Sequence, residues 1–522
     1  MHNATLDGQV HPMIRRLEHI GSGGQKHSNE NLLALLKDCG VFDHLTKPLG
    51  MDDVLLLPST WIRLLHKHYL KDFKKLLGAD KGLLTNFWQG FLATPANQRW
   101  AQEHPSLRNK TVESLATMVP LSVHEDAAPC SKTSSVMCKS FSSLFGNGDE
   151  KVTKFICHSK VKGPTVDVVA AWRPLLADLE ALGSGMVGGE PVALDDDGSI
   201  WCFCLLLAKG DEECHCQDWG LPHYNSAEPC SECLANRTDK PFTDLRATAA
   251  WRGTCPLPAE AYFARVRAPR HPLLASPMAT RMMCYLDLMH MVDCKGVASW
   301  VFGGVLHHLL RDPALGPNKK ARLERVNADR TEWYGRHPTL LKLPRILLAS
   351  CTKDDWAELC GPAFKAANTR QAAKFFEHMA HKYCVGDSPV CRHIRLLTSS
   401  LVGFYNCLYS AGMFLTPEEQ ATLRGHCQDF GSNYQRLRNL AQTQHQLVWP
   451  VRPKVHKMMH VPDLAAHLNP VHAQCYGEES FMGTTSKVWR KSMSGRYQHG
   501  VQTVVLVKRL TGLLLRLEGA AN

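Results

Sequence analysis

The stretch TMVPLSVHEDAAPC (117–130) is an apolar, extended run that leads straight into acids. Working outward, SSVMCKSFSSLFGNGDEKVTKFICHSKV (134–161) reads as two strands around the turn GNGDE. DVVAAWRPLLADLEALGSG (167–185) has the spacing of an amphipathic helix that ends at Gly183. GSIWCFCLLLAKGDEE (198–213) is a dense apolar strand that again ends in acids. The order is strand with acid, hairpin, helix, strand with acid, which predicts a mixed α/β layer.

On either side the pattern turns helical. Residues 28–110 carry a Ser-capped leucine stripe ending at Gly40, then PSTWIRLLHKHYLKDFKKLLG and GLLTNFWQGFLAT at helical spacing. From about 305 to 465 several good helices follow. One of them opens with Thr416, Pro417 and Glu419, the signature of a capping box. A last amphipathic segment runs through Arg516, and no internal repeat or long low-complexity tract interrupts the chain.

At 522 residues the chain has room for several domains, and its 44% hydrophobic content supports a sizeable core. No run reaches the roughly 18 apolar residues of a membrane span, and the N-terminus lacks the basic-then-apolar order of a signal peptide. These features predict an intracellular protein without a membrane partner. The net charge of +11 suits a polyanion but is spread along the chain, as it would be for solubility alone. Twenty cysteines without a secretory signal argue for thiols and metal over disulfides.

Four groups of residues carry candidate chemistry. Asp126, Asp211 and one of Glu478 and Glu479 sit where strands end or helices begin. Converging carboxylates bind Mg²⁺ or Mn²⁺, and two such ions can clamp both oxygens of a phosphodiester displacement. The second group is CHCQDWGLPHYNSAEPCSEC (214–233), with the pair Cys230 and Cys233 preceded by Cys214, His215, Cys216 and His223. Such a set points to structural Zn²⁺, with the completing ligands left open among the upstream four. The third is His456 and His460 in PKVHKMMH, which share a helix face but lack a glutamate between them. A structural or phosphate-contacting role is expected there, with metal ligation as the alternative. The fourth is Asp287 and His290 in LDLMH, which either cap a helix start or belong to a site.

These pieces, in this order, resemble the transposases of CACTA (En/Spm-type) DNA transposons, a branch of the DDE/D superfamily. The resemblance runs from about residue 118 to 510. LSVHEDAAP resembles the strand of the first catalytic aspartate, with Asp126 in place. LLLAKGDEE and PCSEC resemble the second-aspartate strand and its knuckle, with Asp211, Cys230 and Cys233. LDLMH resembles the family's D-x-x-H segment, and ESFMGT the block of the last acid, pointing to Glu479 with Glu478 as runner-up. Ala127 stands where the family often has glycine, and no DNA-binding zinc finger is recognisable before residue 118. The long C-terminal region of many relatives has no counterpart, which suggests a truncated or domesticated copy.

The resemblance implies an RNase H-like mixed sheet with flanking helices, interrupted by a large helical insertion. The expected divisions are a helical N-terminal region (1–115), the first part of the core with its knuckle (116–304), the insertion (305–465) and a return segment (466–522). It implies a nuclear transposase acting in DNA recombination, possible as a homo-oligomer, with DNA (element ends and target) as partner. Asp126, Asp211 and Glu479 then hold two Mg²⁺ or Mn²⁺ ions, with Asp287 and His290 beside them. The alternative is a catalytically inactive descendant that binds DNA or protein. A zinc hydrolase on the Cys/His cluster is a third reading, which a closed ligand set excludes, because catalytic zinc needs an open position.

Overall fold

A computed structural model describes residues 54–146, 153–163 and 166–493, with a few isolated positions on either side. The helix expected at 28–40, the tip of the GNGDE turn and most of the final amphipathic segment lie outside the described residues. The chain divides into two compact units. One is Met1–Gly210, Pro269–Cys284 and Tyr476–Asn522; the other is Asp211–Ala268 and Tyr285–Cys475.

The first unit is mixed α/β. Helices α1 (Pro58–His68), α2 (Leu70–Leu77), α3 (Lys81–Leu92) and α4 (Pro95–Glu103) precede strand β1 (Met118–Pro129). Then follow β2 (Ser135–Ser143), β3 (Phe155–Lys162), helix α5 (Trp172–Leu182) and β4 (Cys202–Lys209). They form one four-stranded sheet in the order β4-β1-β2-β3. β1 pairs antiparallel with β2, and β2 with β3, whereas β4 runs parallel to β1 from Cys202 opposite Met118 to Lys209 opposite His124. Beyond β4 a lone parallel bridge joins Ala208 to Cys284.

The apolar run of β4 is explained by this position. A parallel strand covered on both faces reads as continuous hydrophobics, and Phe203 through Ala208 are all buried. The helices α1–α4 fall in the same compact unit as the sheet. Ser59 of α1 donates to buried Asp178 of α5 through both its N–H (2.9 Å) and its hydroxyl (2.5 Å). The indole of Trp88 in α3 donates to the Met118 carbonyl at 2.8 Å. Aromatic side chains that pack against a sheet cannot be left on a free-standing arm without exposing them to water.

The second unit is largely helical: α6 (Val297–Leu309), α7 (Lys319–Arg336), α8 (Ala366–Tyr383), α9 (Pro389–Ser410), α10 (Pro417–Thr443), α11 (Pro453–Met458) and α12 (Val461–Ala465). The expected boundary at 304/305 falls inside α6, which is apolar all round because it is buried. A Cβ on Gly303 would meet the Glu358 backbone at 2.5 Å, so the close approach there requires glycine. Phe302 stacks on Phe376 of α8 with centroids 4.2 Å apart. The capping box of α10 is present: Glu419 N–H donates to the Thr416 hydroxyl and Thr416 N–H to the Glu419 carboxylate. Among the described residues no helix is long and apolar enough to cross a membrane.

Candidate metal centre and carboxylate sites

The knuckle finds its partners far along the chain. Cys230, Cys233, His456 and His460 are all buried, and their ligand atoms lie within 4.8 Å of one another. Cys230 Sγ is 3.4 Å from His460 Nε2, Cys233 Sγ is 3.3 Å from His456 Nε2, and the two Nε2 atoms are 3.1 Å apart. A tetrahedral zinc with Zn–S about 2.3 Å and Zn–N about 2.0–2.1 Å has S···N edges of roughly 3.5 Å and N···N edges of roughly 3.3 Å. The residues therefore fit a structural Cys₂His₂ zinc site.

The surroundings are those of a thiolate centre. Glu232 N–H donates to Cys230 Sγ at 3.3 Å and Ala235 N–H to Cys233 Sγ at 3.4 Å. Burial alone would raise the Cys230 thiol, but Cys233 and the two imidazoles together hold it well below its ordinary range. Cys233 is correspondingly raised, first by its neighbour Cys230. His460 Nδ1 lies 3.1 Å from Cys255 Sγ and 3.9 Å from Asp463, a carboxylate behind a histidine ligand. Trp251 packs edge-on against both rings, at 4.4 Å from His456 and 5.1 Å from His460. On a zinc held there, four protein donors would leave no open position, as in structural and not catalytic sites.

The upstream candidates are corrected by this geometry: Cys214, His215, Cys216 and His223 are not in the cluster. Asp211 starts a tight turn by accepting the Cys214 N–H at 2.7 Å. That turn buries His215 on Trp219, with centroids 4.8 Å apart, and sends the Cys216 thiol to the Pro222 carbonyl at 3.2 Å. His223 stacks on Tyr224 and accepts the Asn225 N–H at 3.1 Å. The missing ligands were visible as the i,i+4 pair His456 and His460, but sequence distance hid their connection to the knuckle.

A second arrangement in the helical unit surrounds LDLMH. Asp287 is buried and accepts N–H groups of Met289 (3.0 Å), His290 (3.3 Å) and Cys475 (3.0 Å). Its Oδ2 also holds His290 Nδ1 at 2.5 Å. Capping and positioning are therefore both present in one carboxylate. Burial pushes the neighbouring His215 down to about 4, with Lys457 adding to it and Asp211 and Asp287 opposing it. Asp211 and Asp287 thus both act on one imidazole, whose Nε2 is buried without a hydrogen-bond partner.

In the first unit the late helix Tyr476–Met493 is fastened to the end of β1. Ser486 Oγ donates to the Pro129 carbonyl at 2.8 Å and Arg490 Nη2 at 2.9 Å. The two candidate glutamates on this helix differ sharply. Glu478 is buried and ion-paired to Lys154 and Lys209, both at 3.2 Å. Burial alone would raise its carboxyl, yet the two ammonium groups hold it well below the usual range. Glu479 is half-buried, as is Asp126 on β1. Burial lowers His124, against the pull of both Glu478 and Glu479. On the opposite face of β1, Glu125 pairs with Lys139 at 2.6 Å and accepts from the Trp172 indole at 3.2 Å. Asp126 and Glu479 lie in the first unit, and Asp211, Asp287 and His290 in the second.

Compared with protein-family models and with curated proteins, the chain matches none.

Proposed function

We propose that the chain is a transposase-like nuclease and strand transferase, with an RNase H-like core, that cleaves and joins DNA in the nucleus. One observation carries this reading. Side chains two apart on a strand share a face, so His124 and Asp126 lie on one face of β1. Glu479 acts on His124. The helix that carries Glu479 is also fastened to Pro129, at the end of the strand that carries Asp126, which supports bringing the first and last acids of the proposed set together although 353 residues separate them (479 − 126). The antiparallel, antiparallel, parallel pairing and the lone bridge beyond β4 support an RNase H-like core. So does the arrival of the last acid only after the helical unit.

The resemblance gives Asp126, Asp211 and Glu479 the role of divalent-ion ligands, and hard oxygen donors of this kind suit Mg²⁺ or Mn²⁺. Bound there, such ions supply Lewis-acid activation of the attacking oxygen and stabilise the leaving one. Glu478, already neutralised by two lysines, is the poorer ligand. His290, oriented through Nδ1 by Asp287, meets a phosphate oxygen through its other nitrogen. Distributed basic residues hold the DNA backbone without reading sequence.

The test is cleavage and joining of duplexes carrying the element's own ends, with Mg²⁺ or Mn²⁺. Asp126→Ala, Asp211→Ala and Glu479→Gln should each abolish the reaction while salt-sensitive DNA binding persists. Binding without cleavage by the wild type, under either metal, would replace this reading with that of a non-catalytic DNA-binding descendant. No DNA binding at all would dismiss both.

A further inference from the structure

The helical unit carries a second group of soft ligands that the zinc knuckle does not use. His308 lies in the last turn of α6, Cys384 directly follows α8, and Cys391 is the third residue of α9. Their ligand atoms lie within 4.8 Å of one another. His308 Nε2 is 3.5 Å from Cys391 Sγ, the S···N edge of a tetrahedral zinc site at roughly 3.5 Å. We propose that His308, Cys384 and Cys391 form a second Zn²⁺ site, with the fourth position left to water from the adjoining cavity.

The donor set selects the ion. Two thiols and an imidazole suit Zn²⁺ and not Mg²⁺. Arg395 donates to the Cys384 carbonyl, which places a positive charge beside the two thiols.

The chain prepares the turn for this role. Gly386 takes a φ of +87°, and Ser388 and Pro389 restart the helix, so the two cysteines return to the same place across the turn. A metal here would tie α6 to the α8–α9 turn, a link across 76 residues (384 − 308). Unlike the fully buried knuckle, this group borders a cavity of about 250 Å³ lined by Gly304, His307, His308, Arg311, Ser388 and Gln446. Water reaches it, so its zinc should exchange faster than that of the knuckle.

The test is the zinc content of the full chain, purified in reductant, dialysed and measured by mass spectrometry. Two equivalents are expected in the wild type. Cys391→Ser and His308→Ala should each lose one equivalent and keep the native far-ultraviolet circular dichroism, and a mild chelator should strip this ion first. In Co²⁺-loaded protein, Cys391→Ser should weaken the thiolate-to-cobalt absorption, a readout that a merely unstable variant would not move while its fold is intact. Metal content unchanged in both variants would overturn the proposal. So would a Cys384–Cys391 disulfide trapped in acid-quenched cell extracts. Loss of zinc from Cys230→Ser alone, with these variants at wild-type content, would also overturn it. One equivalent in the wild type, lost from the His308 variant and not from Cys230→Ser, would support this site and count against the knuckle.

Discussion

The zinc knuckle and the carboxylate set place charge in opposite ways. At the knuckle, four donors are dried out, backed by amide N–H groups on sulfur and packed by Trp251. The acids Asp126, Asp211 and Glu479 are left half-buried. A soft ion bound once and kept repays full desolvation of its ligands, because no water needs to return. A hard ion that must exchange and meet substrate is better held by carboxylates that keep part of their hydration. Glu478 shows the third possibility on the same helix: a fully buried acid whose charge is consumed by two lysines.

The comparison breaks most visibly at the knuckle. Cys233→Ser or His456→Ala should release zinc and unfold the helical unit. Structural zinc in small domains binds with on the order of 10–16 kcal/mol of free energy, so losing it should remove most of that unit's stability. Calorimetry should show one unfolding transition lost and the other kept. Retention of zinc by both variants would refute the four-ligand assignment.

Adjacent glutamates give the next contrast. Glu478→Gln should destabilise the sheet-containing unit by about 3–5 kcal/mol, because Lys154 and Lys209 would be left buried beside a neutral group. Glu479→Gln, at a half-buried carboxylate, should cost less than Glu478→Gln. The pH dependence follows from the sign of the shift. Glu478 has a folded pKa below its ordinary 4.5, so its contribution is present above about pH 4.5 and is lost as pH falls below it. Denaturant midpoints of wild type and Glu478→Gln should lie apart by a constant amount from pH 7 to about pH 4.5 and draw together from there down to pH 3. Parallel curves would show that the ion pairs do not matter.

Asp287 and His290 give a contrast within the helical unit. If the proposed DNA cleavage is observed, Asp287→Asn should lower it about 10–100-fold, the usual cost of losing a carboxylate that orients a functional imidazole. Binding to DNA should change little. His290→Ala should act in the same direction, and the double variant should be no worse than the worse single one. Additive losses in the double variant would separate the two residues and undo the proposed pairing.

What was legible in the sequence follows the same division. The mixed layer could be read because β1, the hairpin, α5 and β4 are contiguous and each carries its own periodicity. The capping box of α10 could be read because its signal spans four residues. Half of the metal site was readable as Cys-x-x-Cys, but the histidines arrive 223 and 230 residues after their cysteine partners (456 − 233 and 460 − 230), and local spacing cannot express that. Nearby Cys and His residues stood in for them. The membership of α1–α4 in the sheet's unit was equally hidden, since it rests on contacts such as Trp88 to Met118 that no local pattern records. The distinction between Glu478 and Glu479 was hidden for the same reason: it depends on lysines brought in from residues 154 and 209.

The smallest expected effect therefore discriminates best between proximity in sequence and proximity in space. Cys216→Ser and His223→Ala alter two residues that sequence spacing favours as zinc ligands. Cys216 gives its thiol proton to the Pro222 carbonyl, and a serine hydroxyl can do the same. His223 accepts one N–H beside half-exposed groups at the surface of its turn. Each variant should retain the wild-type zinc content, and His223→Ala should unfold within about 0.5 kcal/mol of wild type. Loss of one zinc equivalent from either, with Cys230 and Cys233 intact, would move the ligand set back to the knuckle's own loop and release His456 and His460 for another role.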